Sequence, residues 1–212
     1  MSRQKLVRLL GHWFPVEDSD TSRQDFAQRL GQWLNAFDAV RLDGALHVIR
    51  KFAPQPPQTP QAATVAMLDE ALRSVRVALL ALSPTFPVDE AAKGFDSCRQ
   101  RYLDCQRQME LKIAPLRAQV RQVLAQSSTR LKQLAALDAV LEHVLEGSAR
   151  RLMATVPTLL ERRFEHLCST QQAHTFGQEF QAVLQAEIDM RLQPVMGLLE
   201  ALHKHENRRM NR

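Results

Sequence analysis

The chain has 212 residues, one domain or at most two at about 100 to 200 residues each, and it is 45% hydrophobic and 24% charged, which excludes wholesale disorder and fibrous repeats. Against 28 basic residues stand 23 acidic ones, a formal charge of +5, so nucleic-acid binding is permitted by bulk charge without being required. Seven glycines, a 6% aromatic share and abundant Leu, Ala, Gln and Arg favour helix over sheet, because those four lose little rotamer freedom in a helix.

In chain order, Leu6, Leu9 and Leu10 predict a short opening helix ending near Gly11, with Trp13 and Phe14 behind it and Pro15 preventing continuation. Ser22 with Asp25 three residues on is a capping-box variant. It opens a second helix whose stripe is Phe26, Leu30, Trp33, Leu34 and Phe37. A weaker apolar set, Val40, Leu42, Leu46, Ile49 and Phe52, leads to the four prolines between Pro54 and Pro60, which favour extended polyproline geometry and mark a linker.

The cleanest helix follows, with Val65, Leu68, Leu72, Val75, Leu79 and Leu82 alternating three and four apart until Ser83-Pro84. A long helix is expected from about Phe95 to Gln126, its seam running through Cys98, Tyr102, Cys105, Met109, Ile113, Leu116, Val120 and Leu124. Ser127-Ser128-Thr129 caps a further helix carrying Leu131, Leu134, Leu137, Leu141 and Leu145, which Gly147 is expected to end. Ser148 then caps another with Leu152, Val156, Leu159, Leu160, Phe164 and Leu167 inward. The last long helix spans Thr175 to about Lys204, through Phe176, Phe180, Val183, Leu184, Ile188, Leu192, Val195, Leu199 and Leu202.

Pro115, Pro157 and Pro194 fall inside these helices and predict bends. The expected fold class is therefore all-α: an elongated helical bundle with long proline-kinked helices. Its parts are a small N-terminal helical head (1–52), a Pro-rich linker (53–63), a five-helix bundle body (64–204) and a basic tail (205–212) expected to fray.

Motifs for chemistry are sparse. The sequence has no Gly-rich phosphate loop, no Gly-x-Ser-x-Gly and no His-Glu-x-x-His, so no catalytic residue, cofactor or metal site is expected. His203 and His205, two apart on a helix, point about 200° apart and cannot share one metal ion. Glu187 and Asp189 diverge likewise, and Arg191 stands four after Glu187, where an ordinary ion pair forms. Cys98, Cys105 and Cys168 make neither a disulfide set nor a zinc ribbon; Cys98 and Cys105 sit on the apolar seam and are expected to be buried free thiols. A reducing, cytoplasmic location without membrane insertion is the natural expectation, since the longest aliphatic run, Val77 to Leu82, is far short of the roughly 20 residues of a spanning helix.

Basic residues are the one departure from this plain picture. From Arg99 to Lys132 eight bases face two acids, and Arg99, Arg117 and Arg121 fall within about 40° of one another beside the seam. Two doublets, Arg150-Arg151 and Arg162-Arg163, add to them. Such a ridge can neutralise DNA phosphates or meet an acidic partner, though solvation is the simplest reading; near absence of aromatics disfavours single-strand stacking. The apolar seams can be satisfied inside the chain's own bundle, the simpler account, or by a second copy in a homo-oligomer.

Several stretches resemble a known family. They are Ile113-Ala-Pro-Leu-Arg-Ala-Gln-Val, Leu134-Ala-Ala-Leu-Asp-Ala-Val-Leu, Leu152-Met-Ala-Thr-Val-Pro-Thr-Leu-Leu-Glu-Arg-Arg-Phe and Glu187-Ile-Asp-Met-Arg-Leu-Gln-Pro-Val-Met-Gly-Leu-Leu-Glu-Ala-Leu, with Leu30-Gly-Gln-Trp-Leu nearer the start. The chain is similar there to a proteobacterial domain-of-unknown-function family with no catalytic motif. Its members are encoded beside a proton-channel-like motor protein with a long cytoplasmic helical tail and beside an OmpA-like cell-wall-binding protein. This resembles the type III Zorya anti-phage systems. The resemblance implies a non-catalytic cytosolic accessory subunit whose partners are the motor tail or a second cytosolic component, with DNA as a further partner. A stand-alone nucleic-acid-binding protein is the alternative, and a hydrolase built from scattered carboxylates is disfavoured by the missing motifs.

Overall fold

The computed structural model describes residues 2–13, 36–54, 62–82 and 94–210. These residues form α1 (Ser2–Trp13), α2 (Ala36–Arg50), α3 (Ala62–Leu80), α4 (Asp96–Ser127), α5 (Thr129–Ser169), a 3-10 turn (Ala173–Thr175) and α6 (Phe176–Met210). The protein is all-α, a helical bundle of long helices with a short N-terminal one, and no strand occurs among the described residues. The expected helix from Ser22 and the proline run from Gln55 to Pro60 lie outside them.

Two compact units divide the chain. The first takes in Met1–Val16, Ala71–Pro115 and Met153–Gln193; the second takes in Glu17–Glu70, Leu116–Leu152 and Pro194–Arg212. In the first unit the seam residues of α4 from Cys98 to Ile113 are all buried, as are Val156, Leu160, Phe164 and Leu167 of α5 and Phe176 to Leu192 of the α6 stripe. Five aromatic rings form its centre: Phe164 and Phe176 stand edge to face 5.0 Å apart, Phe95 lies 5.9 Å from Phe164, and Phe180 bridges Phe176 and Tyr102. Rings so arranged add quadrupole attraction to the area they bury. In the second unit Val65 and Leu68 of α3, Leu116, Val120 and Leu124 of α4, and Val195, Leu199 and Leu202 of α6 make the core.

Helix ends follow local chemistry. Ser128 caps α5, its Oγ accepting the Leu131 N–H at 3.4 Å and its carbonyl accepting the Lys132 N–H at 2.8 Å. At the far end Gln171 adopts φ 59° while the Gln172 N–H donates to Leu167 O and the Gln171 N–H to Cys168 O, the two bonds of a Schellman cap. Gly94 takes φ 82° just ahead of α4, a conformation glycine enters without strain.

Three expectations are corrected. Gly147 ends nothing: α5 runs through it for 41 residues, because a glycine in ordinary helical conformation costs only about 1 kcal/mol, which buried Val144 and Val156 on either side outweigh. Leu152, expected inward, is exposed. The residues after Lys204 do not fray at once, since α6 continues to Met210. Pro157 leaves the carbonyl of Met153 without its helical donor, and the Gln106 side-chain amide lies 3.5 Å from that oxygen in partial replacement.

Candidate functional site

In α4, Arg117 and Arg121 are one turn apart; in α5, Asp138 and Glu142 have the same spacing, so the two i,i+4 pairs meet as a quartet. Arg117 grips Asp138 with two parallel bonds (Nε–Oδ2 2.8 Å, Nη2–Oδ1 2.6 Å) and donates a third to Glu142 Oε1 at 2.9 Å. Arg121 donates to Glu142 Oε2 at 2.6 Å and lies 3.6 Å from Asp138. Arg117 and Asp138 are 14% and 13% exposed, so the quartet is largely shielded from solvent. Burial alone would lower the pKa of the Arg117 guanidinium, but the bonds and charges of Asp138 and then Glu142 outweigh it and hold the group above its ordinary value.

Arg99 pairs with Glu161 and stacks 5.7 Å from the Phe95 ring centroid. Arg163 binds Glu179 bidentately at 2.8 and 2.6 Å and lies 5.5 Å from the Trp13 ring; the Glu179 bonds raise its pKa despite partial burial. Arg150 makes an exposed i,i+4 pair with Glu146 at 2.6 Å, Arg151 donates to Ser148 Oγ at 3.1 Å, and Arg162 is exposed. The ridge therefore exists as a row of bases, and five of the seven, Arg99, Arg117, Arg121, Arg150 and Arg163, close on the chain's own carboxylates.

A second site escaped sequence reasoning. Glu187 and Arg191 do form the expected i,i+4 pair, Nη2–Oε1 2.7 Å, yet Glu187 is fully buried. Its other oxygen accepts the Tyr102 hydroxyl, and Gln106 Nε2 donates to Oε1 at 3.1 Å, so α4 and α6 are tied through one carboxylate. Burial, then the charge of Glu187, raises the Tyr102 pKa well above its usual value. Nearby, Arg76 of α3 binds Asp189 at 2.9 Å. The signal was present: Glu187 sits seven after Phe180 and four after Val183, on the apolar stripe, and a seam tyrosine needs a partner for its hydroxyl.

Cys98 and Cys105 are buried free thiols as expected, and Cys168 is exposed. Cys105 lies 3.6 Å from the Leu82 carbonyl oxygen; burial, then the charges of Asp104 and Glu187, pushes its thiol pKa up, away from nucleophilic thiolate. Among the described residues no three His, Cys, Asp or Glu side chains could hold a metal ion, and no helix is long and apolar enough to cross a membrane.

By class this is an all-α bundle protein whose ridge arginines largely close on internal acids and whose fully buried carboxylate, Glu187, is tied to three side chains of its own chain. It belongs to the DUF3348 family, described as a protein of unknown function, whose model matches residues 1–204. No curated protein and no solved structure matches the chain.

Proposed function

We propose that the chain is a non-catalytic helical accessory subunit of a Zorya-type anti-phage defence system, cytosolic, acting through protein contacts with a proton-driven membrane motor complex. The observation that supports contact with protein over wrapping of DNA is the Arg117–Asp138–Arg121–Glu142 quartet: the densest part of the ridge is already neutralised, and a phosphate would have to displace a bidentate carboxylate to reach Arg117. The chain belongs to a family of unknown function, and the defence reading adds to that the gene neighbourhood which the resemblance implies. Co-expression with the adjacent gene products, followed by affinity purification with and without nuclease, tests it. Nuclease-resistant co-purification with the motor or its cytosolic companion is expected; recovery of the chain alone would refute the reading.

A second reading, a stand-alone nucleic-acid binder, draws on cations that pair with no described carboxylate: exposed Lys5 and Arg8 on α1, a helix without a single acid, and exposed Arg162 on α5. Its test is a gel shift at low salt with Lys5, Arg8 and Arg162 reversed to Glu. Reversing Arg117 or Arg121 instead would confound binding with unfolding.

A further inference from the structure

Helix α2 turns an unpartnered apolar face outward. Phe37 and Val40 are the two most exposed large apolar side chains among the described residues, at 83% and 73%, and Val48 on the same face is 59% exposed. With Gly44 they fall within about 80° on the helix. On the far side Ile49 is buried and its carbonyl accepts Gln133 Nε2 at 3.2 Å, which fixes α2 in the second unit with this stripe outward. Apart from its chain neighbours and the backbone of α2 itself, nothing lies within 4 Å of where a Gly44 side chain would begin. The chain's own packing therefore gives no reason for a glycine there, although glycine costs about 1 kcal/mol in a helix interior.

The spacing of the stripe is symmetric about Gly44. Phe37, Val40, Gly44, Val48 and Lys51 are spaced three, four, four and three residues apart, and the Lys51 N–H bond to Val48 O at 3.0 Å keeps Lys51 on the helical path. Spacing that is symmetric about one residue suits an isologous contact, in which each copy presents the same patch. Laid antiparallel about Gly44, Val40 meets Val48 of the second copy, the two glycine backbones cross closely, and Phe37 meets the second copy's Lys51. Cation-over-ring contacts of this kind already recur in the chain: Lys132 Nζ lies 5.2 Å from the Phe52 ring. An antiparallel pair also opposes the two helix dipoles. Parallel pairing would instead stack Lys51 on Lys51.

We infer that the outward face of α2 is a homodimer interface, a second copy of this chain crossing antiparallel over Gly44. A single helix pair is small, so the dimer is reversible, with dissociation in the range of about 1 to 100 μM. The inference does not rest on the defence reading.

The test uses the full chain with Cys168→Ser to remove the exposed thiol. Gly44→Cys, on the two-fold axis, is expected to give mostly disulfide-linked dimer on mild oxidation, whereas Met67→Cys, at a 52% exposed position, stays largely monomeric. In sedimentation velocity the native chain shows concentration-dependent dimerisation, and Val40→Glu with Val48→Glu weakens it at least about 100-fold with unchanged circular dichroism. Native chain that sediments as monomer up to about 500 μM, or equal cross-linking at the two cysteines, overturns the inference. Should the double variant misfold, the cysteine pair decides alone.

Discussion

Replacing Arg117 by Met separates structure from binding at the ridge. The change removes three charge-assisted bonds, two to Asp138 and one to Glu142, and leaves Asp138, 13% exposed, with only Arg121 at 3.6 Å. Removing one partner of a fully buried pair costs about 3 to 5 kcal/mol; residual exposure, 36% at Glu142, brings the expected loss to about 2 to 3 kcal/mol. For a chain of this length that is a fall in Tm of roughly 4 to 12 °C. Thermal unfolding followed by circular dichroism reads it, and the double variant Arg117→Met with Asp138→Leu should recover most of the loss, because no charge is then stranded. A ridge built to hold phosphate predicts the reverse: Arg117→Met would leave Tm within about 1 °C and weaken DNA binding instead, and that outcome would refute the internal-neutralisation argument.

Other predictions follow from single residues. Tyr102 is the only tyrosine, so ultraviolet titration at alkaline pH reports it alone; its raised pKa means that the folded state keeps a proton the unfolded chain releases. Stability should therefore be full below the unfolded tyrosine pKa, near about 10, and fall as pH rises above it. Phenolate appearing with an ordinary midpoint while the fold persists would contradict the Glu187 contact. Gly147→Ala should stabilise by about 0.5 to 1 kcal/mol in urea unfolding because α5 is continuous there; destabilisation would mean that the helix breaks at Gly147. Gln171→Gly should also stabilise, by about 0.5 to 1 kcal/mol, by relieving the left-handed backbone of the α5 cap; a loss would show that the Gln171 side chain is needed.

Legibility in the sequence tracked how local the cause was. The α4 seam from Cys98 to Leu124 and the α6 stripe from Phe176 to Leu202 are buried residue for residue, because a 3.6-residue period is set by the helix itself. Ridge neutralisation was not legible: counting bases against acids along α4 misses Asp138 and Glu142, which come from the next helix, 21 residues from the arginines they bind. Glu187 was readable as a partner of Arg191 but not as a buried one, since burial depends on which helices close over it. At Gly147 local propensity pointed to a terminus and lost to packing on both flanks. Phe37 falls on a predicted apolar stripe and Val40 in a weaker apolar set, yet both are exposed, because their side of α2 is opposite the buried Ile49.

On the proposed defence reading, phage plating on cells that carry this gene with its neighbours, with variants matched for protein abundance, tests most directly whether this chain works by contact. Val40→Glu with Val48→Glu should abolish protection, while Tyr102→Phe and Glu187→Gln, which alter the buried Tyr102–Glu187–Arg191 cluster tying α4 to α6, should leave it intact. Protection lost with Tyr102 and Glu187 but kept with the altered α2 face would contradict the account and point to chemistry at the buried carboxylate.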